Sequence, residues 1–302
     1  MNLQPKILLI RQMAMGDVLL ATPVVEQIHK DYLGNCNIDV LTLKPEVFTN
    51  NPFVNKVFTP ETFKDLSYSY DKTINLDLAY EKQPLLHITD AYALYAFGSP
   101  DKLKNKRIQL YSTAQDKEKI SLLQQSAIKS DYAVIHMRQD TWPSRNLSAQ
   151  TWRNIVDLLL QETQLKIIQI GSPQEFAFDH DPRLINMLGK FSIHELKELI
   201  ASSKLFVGID SGTLHIAATT ECPIVCLFTS AHHTLRMPLG RDATTAFVPV
   251  APRIECYGCQ AHFKPPITGV ICYKGDPFSP PCKDLFDMGD IRSAIQNSLA
   301  KR

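Results

Sequence analysis

Two short stretches of this chain carry side chains suited to chemistry. One is Gly16-Asp17, at the end of Met13-Ala14-Met15 and just beyond the apolar run from Lys6 to Arg11. The other is Gly208-Ile209-Asp210-Ser211-Gly212-Thr213-Leu214-His215, which follows Leu205-Phe206-Val207. In the second stretch the apolar residues read as a buried strand, Asp210-Ser211-Gly212 as a tight turn, and 213–220 as a helix that starts with unpaired backbone N–H groups. A helix start attracts anions, and Gly212 lets a diphosphate approach the backbone with no side chain in the way. Asp210, Ser211, Thr213 and His215 add a carboxylate, two hydroxyls and an imidazole, groups able to orient a phosphate or a ribose. Asp17 has two compatible readings: a proton acceptor, and an N-cap for a helix beginning at Val18.

A third group is cysteine-based. Cys256, Cys259, Cys272 and Cys282 have the spacing C-x2-C-x12-C-x9-C, and Gly258 suits the tight turn of a C-x2-C clip. Around them Pro265, Pro266, Gly269, Gly275, Pro277, Pro280 and Pro281 break regular structure over much of 253–285, and a loop of that length needs a fastener. Structural zinc is the default occupant and iron also suits four thiolates; packed free thiols are the alternative. Cys36, Cys222 and Cys226 read as small buried apolar residues. His232 and His233 are consecutive and read as loop residues rather than a metal pair. His87 and Asp90 open a helix over 87–97, and His87 is a candidate acceptor contact; His136 ends a strand.

These groups need a scaffold. Strand 6–11, turn 13–17, helix 18–32 with Pro23 in its first turn, and strand 38–43 make a right-handed parallel crossover. Further strands are expected at 54–58, 70–75 and 108–111. After a polar helix and linker over 112–129 the alternation restarts: strand 132–137, helix 149–162, strand 166–170, helix 193–201 opened by the Ser192/Glu195 capping box, the 205–208 strand, and strand 224–228. The reading is two α/β halves, 1–120 and 121–302, whose strand ends should face one cleft. Ile291, Ala294, Ile295 and Leu299 have helical spacing in a C-terminal helix expected to pack across the halves.

The chain of 302 residues is 44% hydrophobic, enough for a large core, and its net charge of +1 gives no general pull toward nucleic acid or anionic membrane. No apolar run approaches the roughly 20 residues of a membrane span, and Ile7-Leu8-Leu9-Ile10 is short for a signal-peptide core, so a cytoplasmic protein with reduced cysteines is expected. No G-x-G-x-x-G follows the first strand, which disfavours a nicotinamide-dependent dehydrogenase.

Lys6-Ile7-Leu8-Leu9-Ile10-Arg11 with Gly16-Asp17-Val18-Leu19-Leu20-Ala21-Thr22-Pro23, followed in the same order and separation by Asp210-Ser211-Gly212-Thr213-Leu214-His215, resembles glycosyltransferase family 9, the heptosyltransferases of lipopolysaccharide assembly. The resemblance runs over nearly the whole chain. It implies a GT-B fold of two Rossmann-like α/β domains, an N-terminal one that binds the acceptor and a C-terminal one that binds a nucleotide sugar, usually ADP-heptose. It implies metal-independent, inverting transfer with no catalytic cofactor, Asp17 as base beside Gly16, and Asp210, Gly212 and His215 as the donor-binding motif. Thr229 and Ser230, after the next strand, are candidate helpers of the leaving diphosphate. The family's Lys-x-Trp-Pro-like stretch corresponds here to Trp142-Pro143-Ser144-Arg145-Asn146-Leu147; Arg145 and Arg138 are candidates for the phosphate contact. Relatives that modify autotransporter adhesins resemble this chain in a four-cysteine, iron-binding C-terminal element. The acceptor classes implied are a lipopolysaccharide core sugar, another lipid-linked glycan or a protein hydroxyl. The competing reading is a catalytically silent sugar-nucleotide-binding or metal-stabilised scaffold.

Overall fold

Continuous apolar runs, rather than alternating ones, mark strands buried on both faces of a parallel sheet. A computed structural model, describing residues 4–64, 69–138, 143–262, 272, 274–276 and 279–300, turns these runs into two parallel sheets. They belong to two compact units, Met1–Tyr111 with Pro238–Gly240, and Ser112–Met237 with Arg241–Arg302.

The first unit runs β1 (Lys6–Ile10), α1 (Met15–Leu19), α2 (Thr22–Asp31), β2 (Asn37–Leu41), β3 (Lys56–Phe58), α3 (Pro60–Lys64), β4 (Lys72–Asn75) and α4 (Ile88–Phe97). Its sheet order is β3-β2-β1-β4, with every pairing parallel. The single helix expected over 18–32 is two helices. The amide that would bond Leu19 O belongs to residue 23, and Pro23 has none; Thr22 Oγ1 donates to that carbonyl instead, at 2.8 Å. Residues 108–111 form no strand. Ile108 and Leu110 are buried as their pattern implies, but the Gln109 amide donates to Thr22 Oγ1 at 3.0 Å rather than to a neighbouring strand.

The second unit runs α5 (Ala114–Leu123), β5 (Tyr132–His136), α6 (Ala149–Glu162), β6 (Lys166–Ile170), β7 (Leu184–Asn186), α7 (Ile193–Ala201), β8 (Leu205–Ile209), α8 (Gly212–Ala218), β9 (Ile224–Leu227), β10 (Phe247–Val250) and α9 (Met288–Ala300). Its sheet order is β10-β9-β8-β5-β6-β7, again all parallel. Ser192 and Glu195 close the expected capping box on α7, at 3.2 and 2.8 Å. The apolar stripe of α9 packs on α6 and on β8–β10 of its own unit, because that sheet face offers a core for Ile291 and Ile295 to complete.

Each sheet reverses its strand order once: between β1 and β4 in the first unit and between β5 and β8 in the second. Ligands of open α/β sheets bind beyond the carboxyl ends of the strands at such a reversal. Arg11 and Asp77 follow β1 and β4; His136 ends β5 and Asp210 follows β8.

Candidate active site

At the first reversal, a cation just beyond β1 meets three acids, one from α1 and two from the segment after β4. Arg11, only 3% exposed, sets Nη2 at 2.8 Å from Asp17 Oδ2 and 3.9 Å from Glu81 Oε1, and Nη1 at 3.7 Å from Asp77 Oδ1. Nη1 also donates to the carbonyl of Leu76 at 3.2 Å. The guanidinium lies over Tyr80 and Tyr92, 5.3 and 5.6 Å from their ring centres, a desolvated cation–π arrangement. Burial opposes the guanidinium's charge, but Tyr92, Asp17, Tyr80 and Glu81 outweigh it and raise its pKa. Burial raises the pKa of Glu81, with the Asp17 carboxylate adding to the effect. Tyr92, wholly buried, is held well above the ordinary phenol, first by burial and then by Asp17.

Asp17 stands at the third position of α1, not at its N-cap, which is Ala14. Its Oδ2 accepts from the Ala14 amide at 3.2 Å, so the carboxylate caps backward from inside the first turn. Tyr80 OH reaches the same oxygen at 3.4 Å. Gln12 ties the two strand ends together through bonds of 2.9 and 3.0 Å to the Asp77 carboxylate. Gly16 is buried in α1. His87 is the N-cap of α4; it is buried, and its Nδ1 accepts from the Thr89 amide at 3.1 Å. Asp90 pairs with Lys106 at 2.6 Å.

At the second reversal, Ser211 is the N-cap of α8, yet its side chain does not cap the helix. Its Oγ instead bonds His136 Nδ1 at 3.2 Å, bridging the ends of β8 and β5. Gly212 and Thr213 therefore open α8 without a side-chain cap, a backbone arrangement that suits an anion. Asp210, 1% exposed, is held by Arg145, whose Nη1 lies 3.1 Å from Oδ2; Arg145 Nη2 donates to Gln260 Oε1 at 3.0 Å. Arg145, expected as a phosphate contact, is thus engaged with the donor-motif carboxylate. Thr229 Oγ1 donates to Ser144 O at 2.8 Å, and Ser144 and Ser230 hydroxyls meet at 3.2 Å, so the loop after β9 is tied to the turn carrying Arg145. Leu214 and His215 are buried in α8. Trp142 lies outside the described residues.

A cleft opens beside this seat, lined by His136, Arg138, Gly171, Ser172, Glu175, Lys190 and Thr213 among others. Arg138 is exposed here. Glu175 was not singled out by sequence reasoning. Its signal was Gly171 at the end of β6: a side chain there would meet Glu175 Oε1 at 2.5 Å, and the Ser172 amide donates to the same oxygen at 2.8 Å.

Cys256 and Cys259 sit in one turn, the Cys259 amide bonding Cys256 O at 3.1 Å, with Gly258 at φ +77°. Gly258 and Gln260 amides donate to Thr229 O and Ser230 O at 3.2 and 2.8 Å. Burial first, and then the neighbouring thiols, push Cys259 up to about 11 and Cys282 up to about 12; Cys256 and Cys272 act on both. Among the described residues no three potential ligands stand close enough to form a metal-holding group. Pro265, Pro266, Gly269 and Pro277 lie outside the described residues. His232, His233 and Tyr257 form an aromatic stack, and His233 Nδ1 and Tyr257 OH are 2.9 Å apart; His232 is the N-cap of a short 3-10 turn over His233–Leu235.

Among the described residues no helix is long and apolar enough to cross a membrane. The chain is 24% identical to lipopolysaccharide heptosyltransferase 3 of Escherichia coli strain K12 over 283 residues, covering 74% of this chain and 82% of that protein. Its fold is similar to that of E. coli ADP-heptose LPS heptosyltransferase II (TM-score 0.69, 15% identity, 98% of this chain and 99% of that one). It is also similar to the iron-containing dodecameric heptosyltransferase TibC of enterotoxigenic E. coli H10407, solved in complex with ADP-D-β-D-heptose (TM-score 0.71, 16% identity, 99% of this chain and 77% of that one). These neighbours have the GT-B fold of paired Rossmann-like units, which this chain shares. Residues 67–264 match the model of glycosyltransferase family 9 (heptosyltransferase), and the chain belongs to that family of glycosyltransferases.

Proposed function

We propose that this glycosyltransferase moves a heptose, or a closely related sugar, from a nucleotide diphosphate sugar of the ADP-heptose kind to a hydroxyl of a glycan, with inversion at the anomeric carbon. A lipopolysaccharide core sugar is the preferred acceptor, by kinship with the E. coli enzymes; a protein hydroxyl is the second choice. The first unit supplies the acceptor side and the second holds the donor. The observation that carries the reading is the partly exposed Asp17 carboxylate, fixed beyond β1 by a buried arginine. A base so held can take the acceptor's hydroxyl proton while the acceptor oxygen bonds to the anomeric carbon. On the opposite face the bond from that carbon to the diphosphate oxygen breaks, and its electron pair leaves with the diphosphate. The uncapped start of α8, with Asp210 and His215 around it, meets that charge, and the cleft beside Glu175 and Arg138 takes the nucleoside.

Cys256, Cys259, Cys272 and Cys282 would hold a structural zinc or iron ion that fastens 253–285. What supports this is four cysteines on one short segment, the Gly258 turn between two of them, and likeness to an iron-containing glycosyltransferase. Four thiolates leave no open coordination position, so transfer itself runs on protein groups. The donor assignment is checked by calorimetric titration with ADP-heptose, ADP-glucose, GDP-mannose and UDP-glucose. ADP-heptose should bind at least tenfold tighter than the guanosine and uridine sugars; preference for either of those would refute it.

A further inference from the structure

Asp17 is gripped on one side only. The Arg11 guanidinium, the Ala14 amide and the Tyr80 hydroxyl, at 2.8, 3.2 and 3.4 Å, all meet Oδ2, and none of them reaches Oδ1. Three donors on one oxygen draw charge to it and fix the plane of the carboxylate, leaving the other oxygen as the accessible basic lone pair. The arginine is poorly served in return. Its Nε is buried with no hydrogen-bond partner among the described residues, and three carboxylates share its single charge. A buried cation arranged for stability would be better satisfied, so the arrangement points to function.

We propose that Arg11 is the positioning residue of Asp17, clamping Oδ2 so that Oδ1 receives the acceptor's proton, and that Glu81 competes for the same guanidinium and thereby tunes the base. The proposal rests on Asp17 being the base. The groups facing this carboxylate are Arg11 from the end of β1, Asp77, Tyr80 and Glu81 from the segment after β4, and Tyr92 from α4. The sign of each contribution is fixed. An adjacent cation favours the carboxylate and an adjacent anion disfavours it. Removing the cation must move the titration of Asp17 to higher pH, and removing Glu81's charge must move it to lower pH.

The test is a carboxyl ¹³C NMR titration of Asp17 in the parent, Arg11→Met, Arg11→Lys and Glu81→Gln proteins, which needs no substrate. It is joined by the acid limb of kcat with ADP-heptose and a heptose-truncated lipopolysaccharide core. The expected midpoint shift is roughly 1–3 pH units upward in Arg11→Met, close to none in Arg11→Lys, and downward in Glu81→Gln. The acid limb should follow the same order. Should Arg11→Met fail to fold, Glu81→Gln carries the test through the acid limb: a base tuned by Glu81 must move that limb of kcat down together with its NMR midpoint, whereas a carboxylate that is not the base would titrate without moving it. An unmoved midpoint in Glu81→Gln overturns the proposal. Shifts as expected beside an Asp17→Asn protein that still transfers at the parent rate would overturn the assignment of the base instead.

Discussion

The Asp210–Arg145 pair has the sharpest consequences of any single contact outside the Arg11 cluster. Both side chains are nearly out of solvent, 2% and 11% exposed, where a paired charge gains little net stability but an orphaned one is costly. Asp210→Asn removes the only anion described beside the buried guanidinium and should lower stability by about 3–5 kcal/mol, read by urea unfolding, and weaken ADP binding by at least tenfold. Wild-type stability and affinity in that variant would show that the pair does not organise the donor seat. Asp17 and Asp210 were legible in the sequence because each lies beyond an apolar run and within two residues of a glycine. Arg11, Asp77, Tyr80 and Glu81 were not read as a cluster: Arg11 looks like the solvated end of a strand, and its partners lie about 65–80 positions further on, joined to it only by parallel pairing of β1 with β4.

Among the elements, the inner strands were plain because burial on both faces makes them uniformly apolar. The edge strands β7 and β10 were missed for the converse reason. They are three and four residues long and partly exposed, and β10 contains Pro249, which is tolerated at a sheet edge. On the proposed metal reading, Cys256, Cys259, Cys272 and Cys282 fasten their segment through an ion. Purified under reducing conditions without chelator, the protein should carry about one zinc or iron per chain, and Cys282→Ser should lose that metal and lower Tm. Elemental analysis giving well below one equivalent in the parent would remove the ion. The tie between this segment and the donor seat runs through Gln260, bonded to Ser230 by its backbone and to Arg145 by its side chain.

For the molecule as a whole, each unit repeats one device: a parallel sheet with a single reversal of strand order, and polar groups gathered beyond the strand ends there. The division falls after Tyr111, so α5 belongs with the second unit. The polar run from residue 112 carries no mark of which unit it joins; what decides is long-range contact, such as Lys119 with Glu195 at the start of α7. On the proposed function chemistry is shared out accordingly, a base in the first unit and an anion seat in the second. This division of labour makes one comparison decisive: Asp17→Asn beside the parent, with sugar transfer from ADP-heptose and ADP affinity measured on the same preparations. The account predicts transfer lowered by about 10²-fold or more, the usual contribution of a general base, with ADP affinity unchanged; transfer at the parent rate by the asparagine protein would contradict it.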